Sequence, residues 1–460
     1  VLRINRSTIN GSTDDAMNFQ GKRVLVVGLG ESGRAAARFV AARGAVVTAT
    51  DNQTPEKLGT TTRELRDLGV ELHLGGHAGE LFAAQDVIIP SPGVPWDLPQ
   101  LEAARRAGVE VAGELEVAAS VLRGRVVGVT GTNGKTTTTS LIGHILRSAG
   151  WKVCVAGNIG TPVLSIVEQS TDDTWNVLEL SSFQLEAMSH FRCEIALVLN
   201  ITPDHLDRHK TLAGYAQAKA RIFLAQTAGD YAVLNADDAA CRDIAVQARG
   251  QVRWFSRTRP LDCGAGVNGE WIVFNGTPVG PVKLPIRGGH NLENALAAVA
   301  ATALAGVSPG VIGPALQSFT AVEHRLEYVR TLDGVDYYND SKATNVDATL
   351  KAIEAFDGGL WVILGGSDKG ADYYDLREPL KQRARAAILV GAAAEKMATQ
   401  LEGWVAIYHA GTIERAIEYA RGQAHSGDTV LLAPACASFD QFQNYGHRGR
   451  VFKQLVGALQ

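Results

Sequence analysis

Gly131-Thr132-Asn133-Gly134-Lys135-Thr136-Thr137 constrains this chain more than any other stretch. It follows an apolar run from Arg125 to Thr130 and precedes a helix-like segment from Thr137 to Ala149. Strand, Gly-rich turn and helix in that order predict an α/β sheet with a phosphate cradle at one strand end. Backbone N–H groups and the helix N-terminus draw in phosphate oxygens, Lys135 adds a positive charge, and the Thr136 hydroxyl is suited to hold Mg²⁺. The general pattern places a glycine five residues before Gly134, where this chain has Val129, so the loop is a variant form. The stretch predicts a chain that uses ATP.

A second Gly-rich turn lies upstream. The strand-like run Lys22 to Val27 leads into Gly28-Leu29-Gly30-Glu31-Ser32-Gly33, a helix-like run to Arg43, and a second strand from Ala45 that ends at Asp51. This is a Gly-x-Gly-x-x-Gly βαβ unit with an acidic residue after the second strand, a pattern that serves nicotinamide cofactors and many other ligands. A short buried strand, Asp86 to Pro90, empties into Ser91-Pro92-Gly93 at the same carboxyl edge of the sheet, where ligands bind in open parallel sheets.

After the phosphate loop, strands at Trp175 to Leu180, Ile195 to Asn200 and Tyr231 to Asn235 each end in polar residues: Glu179 with Ser181 and Ser182, then Asn200 to His205, then Asn235 to Asp238. Strand-end carboxylates beside a phosphate loop are where Mg²⁺ ligands fall, so Thr136 and Glu179 are metal candidates. His205, an imidazole beside Asp204, is a candidate for a second metal. Residues 253–285 read as short strands forming a β-rich appendage, and 290–306 as an Ala-rich helix. A third block alternates strands at Val335 to Asp340, Trp361 to Leu364, Ala386 to Val390 and Thr429 to Ala433 with helices. The fold class is therefore α/β in three domains. Residues 1–18 form a polar extension, 19–118 a Rossmann-like domain, 119–322 a central phosphate-loop domain with a mostly parallel sheet, and 323–460 a second Rossmann-like domain.

Composition narrows the partners. At 460 residues there is room for about three domains. The formal net charge of −4, without a basic run, makes nucleic acid an unexpected partner. Five scattered cysteines, never spaced Cys-x-x-Cys, fit a reducing cytoplasm rather than a disulfide framework or zinc site. No apolar run is long enough to span a bilayer, and the first eighteen residues lack a signal-peptide core; they read as a loose extension or an alternative start before Met17.

Taken together, the motifs resemble the Mur ligase family of ATP-dependent amide-forming enzymes. They are the phosphate loop, Glu179-Leu180-Ser181-Ser182-Phe183-Gln184-Leu185, Asn200-Ile201-Thr202-Pro203-Asp204-His205-Leu206-Asp207, His290-Asn291 with Asn294, Glu323-His324-Arg325, and Asp340-Ser341-Lys342-Ala343-Thr344-Asn345. The Gly28 to Gly33 opening and Pro434-Ala435-Cys436-Ala437-Ser438-Phe439-Asp440-Gln441-Phe442, with Tyr445 and Arg448-Gly449 beyond, look like the branch that adds D-glutamate to UDP-N-acetylmuramoyl-L-alanine. The resemblance implies a monomeric cytoplasmic enzyme of peptidoglycan synthesis that works through an acyl phosphate. A family member with another amino-acid substrate, a nicotinamide oxidoreductase built on the first block, and a non-catalytic ATP-driven switch remain alternatives.

By resemblance, Lys135 neutralises phosphate oxygens, Asn291 contacts the base, Arg325 lies near the phosphates and Asp340 near the ribose. Two Mg²⁺ ions are implied, held by Thr136, Glu179, His205 and Lys219. From the residues alone Lys219 looks like a surface helix lysine; the family makes it a carbamate that ligates metal. Ser32, Asp51, Ser91, Pro92 and Gly93 are carried over as UDP contacts, Asn158 as a muramoyl contact, and Ser181 as a further substrate contact. Lys342, Thr344, Lys369, Ser438 and Phe439 are carried over to the amino acid. Asn52 and Gln53 stand where a relative has threonine and arginine, and Gly365-Gly366-Ser367-Asp368-Lys369 departs from the commoner Gly-Gly-Asp-Gly-Lys wording.

Overall fold

The computed structural model describes residues 17–158, 160–320, 322–368 and 370–460. Most of the N-terminal extension (residues 1–16) and Lys369 therefore lie outside the described residues. Among the described residues the chain forms three sheets, of five, nine and six strands.

The first sheet is wholly parallel, in the spatial order Glu71–Leu74, Val46–Asp51, Arg23–Val27, Val87–Pro90, Glu110–Val111. Val24 to Val27 and Val87 to Ile89 are at most 1% exposed, as in a sheet covered on both faces. Strand order reverses between Arg23–Val27 and Val87–Pro90, so the turns at Gly28 and Ser91 flank one crevice. Gly33 lets the helix Glu31–Ala41 approach: a Cβ there would stand 1.8 Å from the Gly28 carbonyl oxygen.

The central sheet places Arg125–Thr130 between Ile195–Val198 and Trp175–Glu179, with Val153–Gly157 at one edge. Beyond Ile195–Val198 come Tyr231–Asn235 and Gln251–Phe255 in parallel. The segment expected as an appendage continues this sheet: Gly264–Asn268 adds in parallel, then Trp271–Phe274 and Thr277–Pro281 add antiparallel. Short hairpin strands present an edge that is satisfied most directly by pairing with the free edge next to them. The helix Gly289–Ala305 packs on the sheet through Ala295 to Ala301, each at most 1% exposed, beside Val127, Val129 and Leu197. The phosphate-loop helix, Lys135–Ser148, starts two residues earlier than its sequence suggests.

The third sheet runs Glu327–Leu332, Val335–Asn339, Thr429–Leu432, Leu360–Gly365, Ala384–Val390, Ile407–Gly411; the first pair is antiparallel and the others parallel. Its two outer strands escape the sequence reading because half-exposed edges carry little hydrophobic signal. Loops after Asn339, Gly365 and Leu432 meet at one end, where the buried Arg448 guanidinium donates to Ser341 Oγ and O and to the Cys436 and Ala437 carbonyls at 2.8–3.2 Å. Those bonds fix the loop that carries Lys342 against the one that carries Ser438.

Candidate active site

The phosphate loop sits at the carboxyl end of Arg125–Thr130. Gly134 has φ +84°, and a Cβ there would lie 2.1 Å from Asn294 Oδ1, so both backbone conformation and space favour glycine. Lys135 Nζ folds back onto the loop, donating to the Gly131 and Thr132 carbonyls at 2.8 and 2.7 Å. Burial pulls its pKa down, and Glu179 and Asp204 oppose that pull.

Glu179 is the centre of the site and is 1% exposed. Its Oε2 accepts from the Thr136 hydroxyl at 2.7 Å and its Oε1 from Asn158 Nδ2 at 3.0 Å. Thr136 Oγ1 in turn accepts from Lys342 Nζ at 2.5 Å. Burial works to raise the Glu179 pKa, but Lys342 and Lys135 outweigh it and hold the group below its usual value. Burial takes Lys342 down to about 8, against the pull of Glu179. The Glu179 carboxylate and the Thr136 hydroxyl are oxygen donors of the kind Mg²⁺ takes, and in the ligand-free chain two lysine cations balance the charge instead.

Lys219, the apparent surface lysine, is 1% exposed in the helix Leu212–Ala220. Its Nζ donates to the Gly131 carbonyl at 2.8 Å and lies 4.3 Å from the Tyr215 ring centroid. Burial, then the neighbouring Lys135 charge, pushes its pKa well below the ordinary lysine value. The alanines around it gave no hint of this, because what buries Lys219 is the distant phosphate loop. His205 has φ +53° and caps the short helix Leu206–His209; its ring lies 3.7 Å from Asp204 Oδ2 and 4.9 Å, centroid to centroid, from Phe183. His209 is engaged by Ser182 Oγ and Glu186, away from this donor set.

A narrow cleft of about 30 Å³ is lined by Asn133, Gly134, Thr137, Asn291, Arg325 and Asp340, among others, so six of the expected nucleotide residues share one space. Arg325 Nε and Asp340 Oδ1 are buried there without a hydrogen-bond partner, and the nearest Arg325–Asp340 approach is 3.8 Å. Buried polar atoms of this kind call for a partner, which nucleotide hydroxyls and phosphates supply. Asn294 Nδ2 donates to Asn291 Oδ1 at 3.1 Å. Sequence reasoning missed Glu293 and Lys351 in this lining, and it quoted His290 within a motif without giving it a role of its own.

A larger cavity, about 510 Å³, is lined by Ser32, Asp51, Ser91, Pro92, Gly93 and Asn158, together with Gly28, Gly30, His77 and Gln184. Asp51 Oδ2 accepts from the Leu29 N–H at 2.6 Å and its Oδ1 from that of Gln53 at 2.7 Å; Ser91 Oγ donates to the Gly28 carbonyl at 2.7 Å. Both therefore shape the turns as well as line the cavity. Ser181 is the N-cap of Ser182–Glu186 in a reciprocal bond with Gln184, so its side chain is committed to the helix end. On the third sheet, Ser438 is buried, Thr344 half-buried, and the Phe439 side chain is 73% exposed. Glu323, His324 and Glu327 bring ligand-type atoms within 4.8 Å of one another, but Lys453 Nζ, 2.6 and 2.9 Å from the two carboxylates, already supplies the positive charge.

A phosphate loop and a buried carboxylate–cation knot, placed between two further α/β units, mark a three-unit nucleotide-using protein. Family models agree along the chain: the Mur ligase MurD-like N-terminal domain at residues 22–113, the Mur ligase middle domain at 129–302 and the Mur ligase glutamate ligase domain at 324–436. The chain belongs to the Mur ligase family, ATP-dependent enzymes that form carbon–nitrogen bonds. It is 56% identical over 445 residues to a UDP-N-acetylmuramoylalanine–D-glutamate ligase of Solibacter usitatus, covering 96% of this chain and 99% of the relative. Another protein of that name, from Koribacter versatilis, is 53% identical over 96% of this chain and 98% of its own length. Among solved structures, the UDP-N-acetylmuramate–alanine ligase of Thermotoga maritima matches with a TM-score of 0.62 at 19% identity, covering 95% of this chain and 99% of that one. A pseudomurein peptide ligase from Methanothermus fervidus matches at 0.59 and 20% identity, covering 96% of this chain and 100% of that one. The nicotinamide alternative for the first block gives way to this family. No helix among the described residues is long and apolar enough to cross a membrane.

Burial raises the Asp340 pKa from 3.8 to about 6, with Arg325 opposing. A raised carboxyl pKa gives stability that is present below the unfolded value and lost as pH rises through the folded one. Between pH 4 and 6, Asp340→Asn should remove a loss of about 2 kcal/mol that the unaltered chain shows in denaturant unfolding. The same variant should bind ATP more weakly by titration.

Proposed function

We propose that the chain joins D-glutamate to UDP-N-acetylmuramoyl-L-alanine using ATP, a cytoplasmic step of peptidoglycan synthesis, with residues 19–118, 119–322 and 323–460 as its three working units. The observation that carries this reading is the meeting of two sites at one carboxylate. The large cavity is lined by Asn158, whose amide holds one oxygen of Glu179 while the phosphate-loop Thr136 holds the other. A sugar-peptide acid lying along the first cavity would bring its terminal carboxylate to the end of a triphosphate on the loop.

A carboxylate is unreactive toward amines until one oxygen becomes a leaving group. The γ-phosphoryl passes to the alanyl carboxylate and ADP departs. The glutamate amine then attacks the carbonyl carbon, the C–N bond forms, phosphate leaves and the amine loses a proton. Lys135 would neutralise charge that develops on the transferring group, and positioning with charge neutralisation is the main demand of such a step. Thr136 and Glu179 would hold one Mg²⁺; His205 and a carbamate on Lys219 would hold a second. Bound there, Mg²⁺ supplies charge neutralisation to phosphoryl oxygens. The low pKa of Lys219 supports the carbamate, since only a neutral amine adds to CO₂, releasing a proton as the N–C bond forms. Arg325, Asp340 and Asn291 would hold the nucleotide. Lys342, Thr344, Lys369, Ser438 and Phe439 would face the amino acid. Ser32, Asp51, Ser91, Pro92 and Gly93 would face UDP.

With UDP-N-acetylmuramoyl-L-alanine and ATP present, phosphate release by the purified protein should depend on D-glutamate in a screen of amino acids. Stimulation by a different amino acid alone would reassign the substrate, and release without any amino acid would favour a plain ATPase. Lys219→Ala should abolish ligation, with short-chain carboxylates restoring part of it; full activity in the unrescued variant would dismiss the carbamate.

A further inference from the structure

Two side chains of the third unit reach across to the central one, at the start of the helix Val346–Glu354. Asp347 Oδ2 accepts from Asn133 Nδ2 of the phosphate loop at 2.5 Å, from Thr202 Oγ1 at 3.3 Å and from Lys351 Nζ at 2.9 Å. Asn345 Nδ2 donates to Asp204 Oδ2 at 3.0 Å, beside His205, while Asn345 Oδ1 caps its own helix by accepting from Ala348 N at 2.8 Å. The loop and the Asn200 to His205 turn are themselves tied together: Asn133 N donates to Asn200 Oδ1 at 2.8 Å and Thr202 N to Thr132 Oγ1 at 3.0 Å. One short segment of the third unit therefore grips both halves of the proposed phosphate and metal site.

The grip coincides with a closed cleft. With Asn133 held by Asp347, the cleft lined by Asn133, Arg325 and Asp340 is narrow, about 30 Å³ against about 510 Å³ for the cavity of the first unit. Opening the Asn133–Asp347 bond and moving the third unit away would widen the way in for a nucleotide. The same bond, once remade, brings the Lys342 loop back over the phosphate loop and keeps water from an acyl phosphate.

We propose that Asp347 and Asn345 are positioning residues that latch the third unit onto the phosphate loop and the His205 turn, so that nucleotide entry and sealing of the site are governed by the same contacts. The proposal rests on the reading of the cleft as the nucleotide site. A latch makes opposite demands on two rates: weakening it opens the nucleotide-free site more often and closes the loaded site less well. General structural damage slows both.

The test compares Asp347→Ala, Asn345→Ala and the conservative Asp347→Glu with the unaltered protein. Association of a fluorescent ATP analogue, measured by stopped flow, should become at least threefold faster in the two alanine variants. Their ligation kcat should fall about tenfold, and phosphate released should exceed product made as acyl phosphate meets water. Asp347→Glu should regain part of the ligation rate. Amide hydrogen exchange across residues 131–135 and 200–205 in the nucleotide-free protein should also accelerate in the alanine variants, a readout that needs no activity. Exchange and association both unchanged from the unaltered protein would overturn the latch. Failure of the unaltered protein to form product would instead count against the proposed ligation, while the exchange result still decides the latch.

Discussion

The structure depends on a buried carboxylate that is never left alone. Glu179, 1% exposed at the end of Trp175–Glu179, would be costly to ionise if its charge were unmatched. Lys135 and Lys342 match it, from opposite sides of a junction between two units, and Thr136 and Asn158 occupy its two oxygens. Removing one cation would strand the carboxylate, so the third unit has an electrostatic reason to sit where it does. The fold delivers this knot through simple geometry. A parallel sheet puts strand ends, and hence Glu179, the phosphate loop and the Asn200 to His205 turn, on a single edge.

The two cavities differ in a way that suits an order of events. The one lined by the first unit's turns is about 510 Å³ and the cleft under the third unit about 30 Å³. The first is roomy as it stands; the second is narrow and would widen if the units parted. Arg325, near the start of the third unit, carries a buried, unpartnered Nε and lines that second cleft. Lys453 bridges Glu323 and Glu327 within that unit, so Arg325 should move with it rather than with the phosphate loop.

What could be read from the residues follows from how far each cause lies along the chain. The phosphate loop, the Gly28 to Gly33 turn and the strand-end polar groups are local patterns, and their elements fall close to the expected positions. The pairing of Asn291 with Asn294 follows from helical spacing alone. Lys219 was misread as exposed because its helix is alanine-rich and without amphipathic pattern, and the groups that bury it are 88 residues away. Asp347 carried no signal at all: its partner Asn133 is 214 residues distant, and a carboxylate in a first helical turn is unremarkable in sequence. The strand Ile407–Gly411 contains Tyr408 and His409 facing solvent and so lacks an apolar period. The hairpin strands were recognised, but their merger with the central sheet depends on an edge that only the folded chain presents.

The account stands on one transfer: the phosphoryl group must move onto the acid held beside Glu179 before the amine arrives. UDP-N-acetylmuramoyl-L-alanine labelled with ¹⁸O in its terminal carboxylate tests this most directly, by mass spectrometry of the phosphate released during ligation. The account predicts one labelled oxygen in each phosphate formed with product. Unlabelled phosphate accompanying product would contradict it.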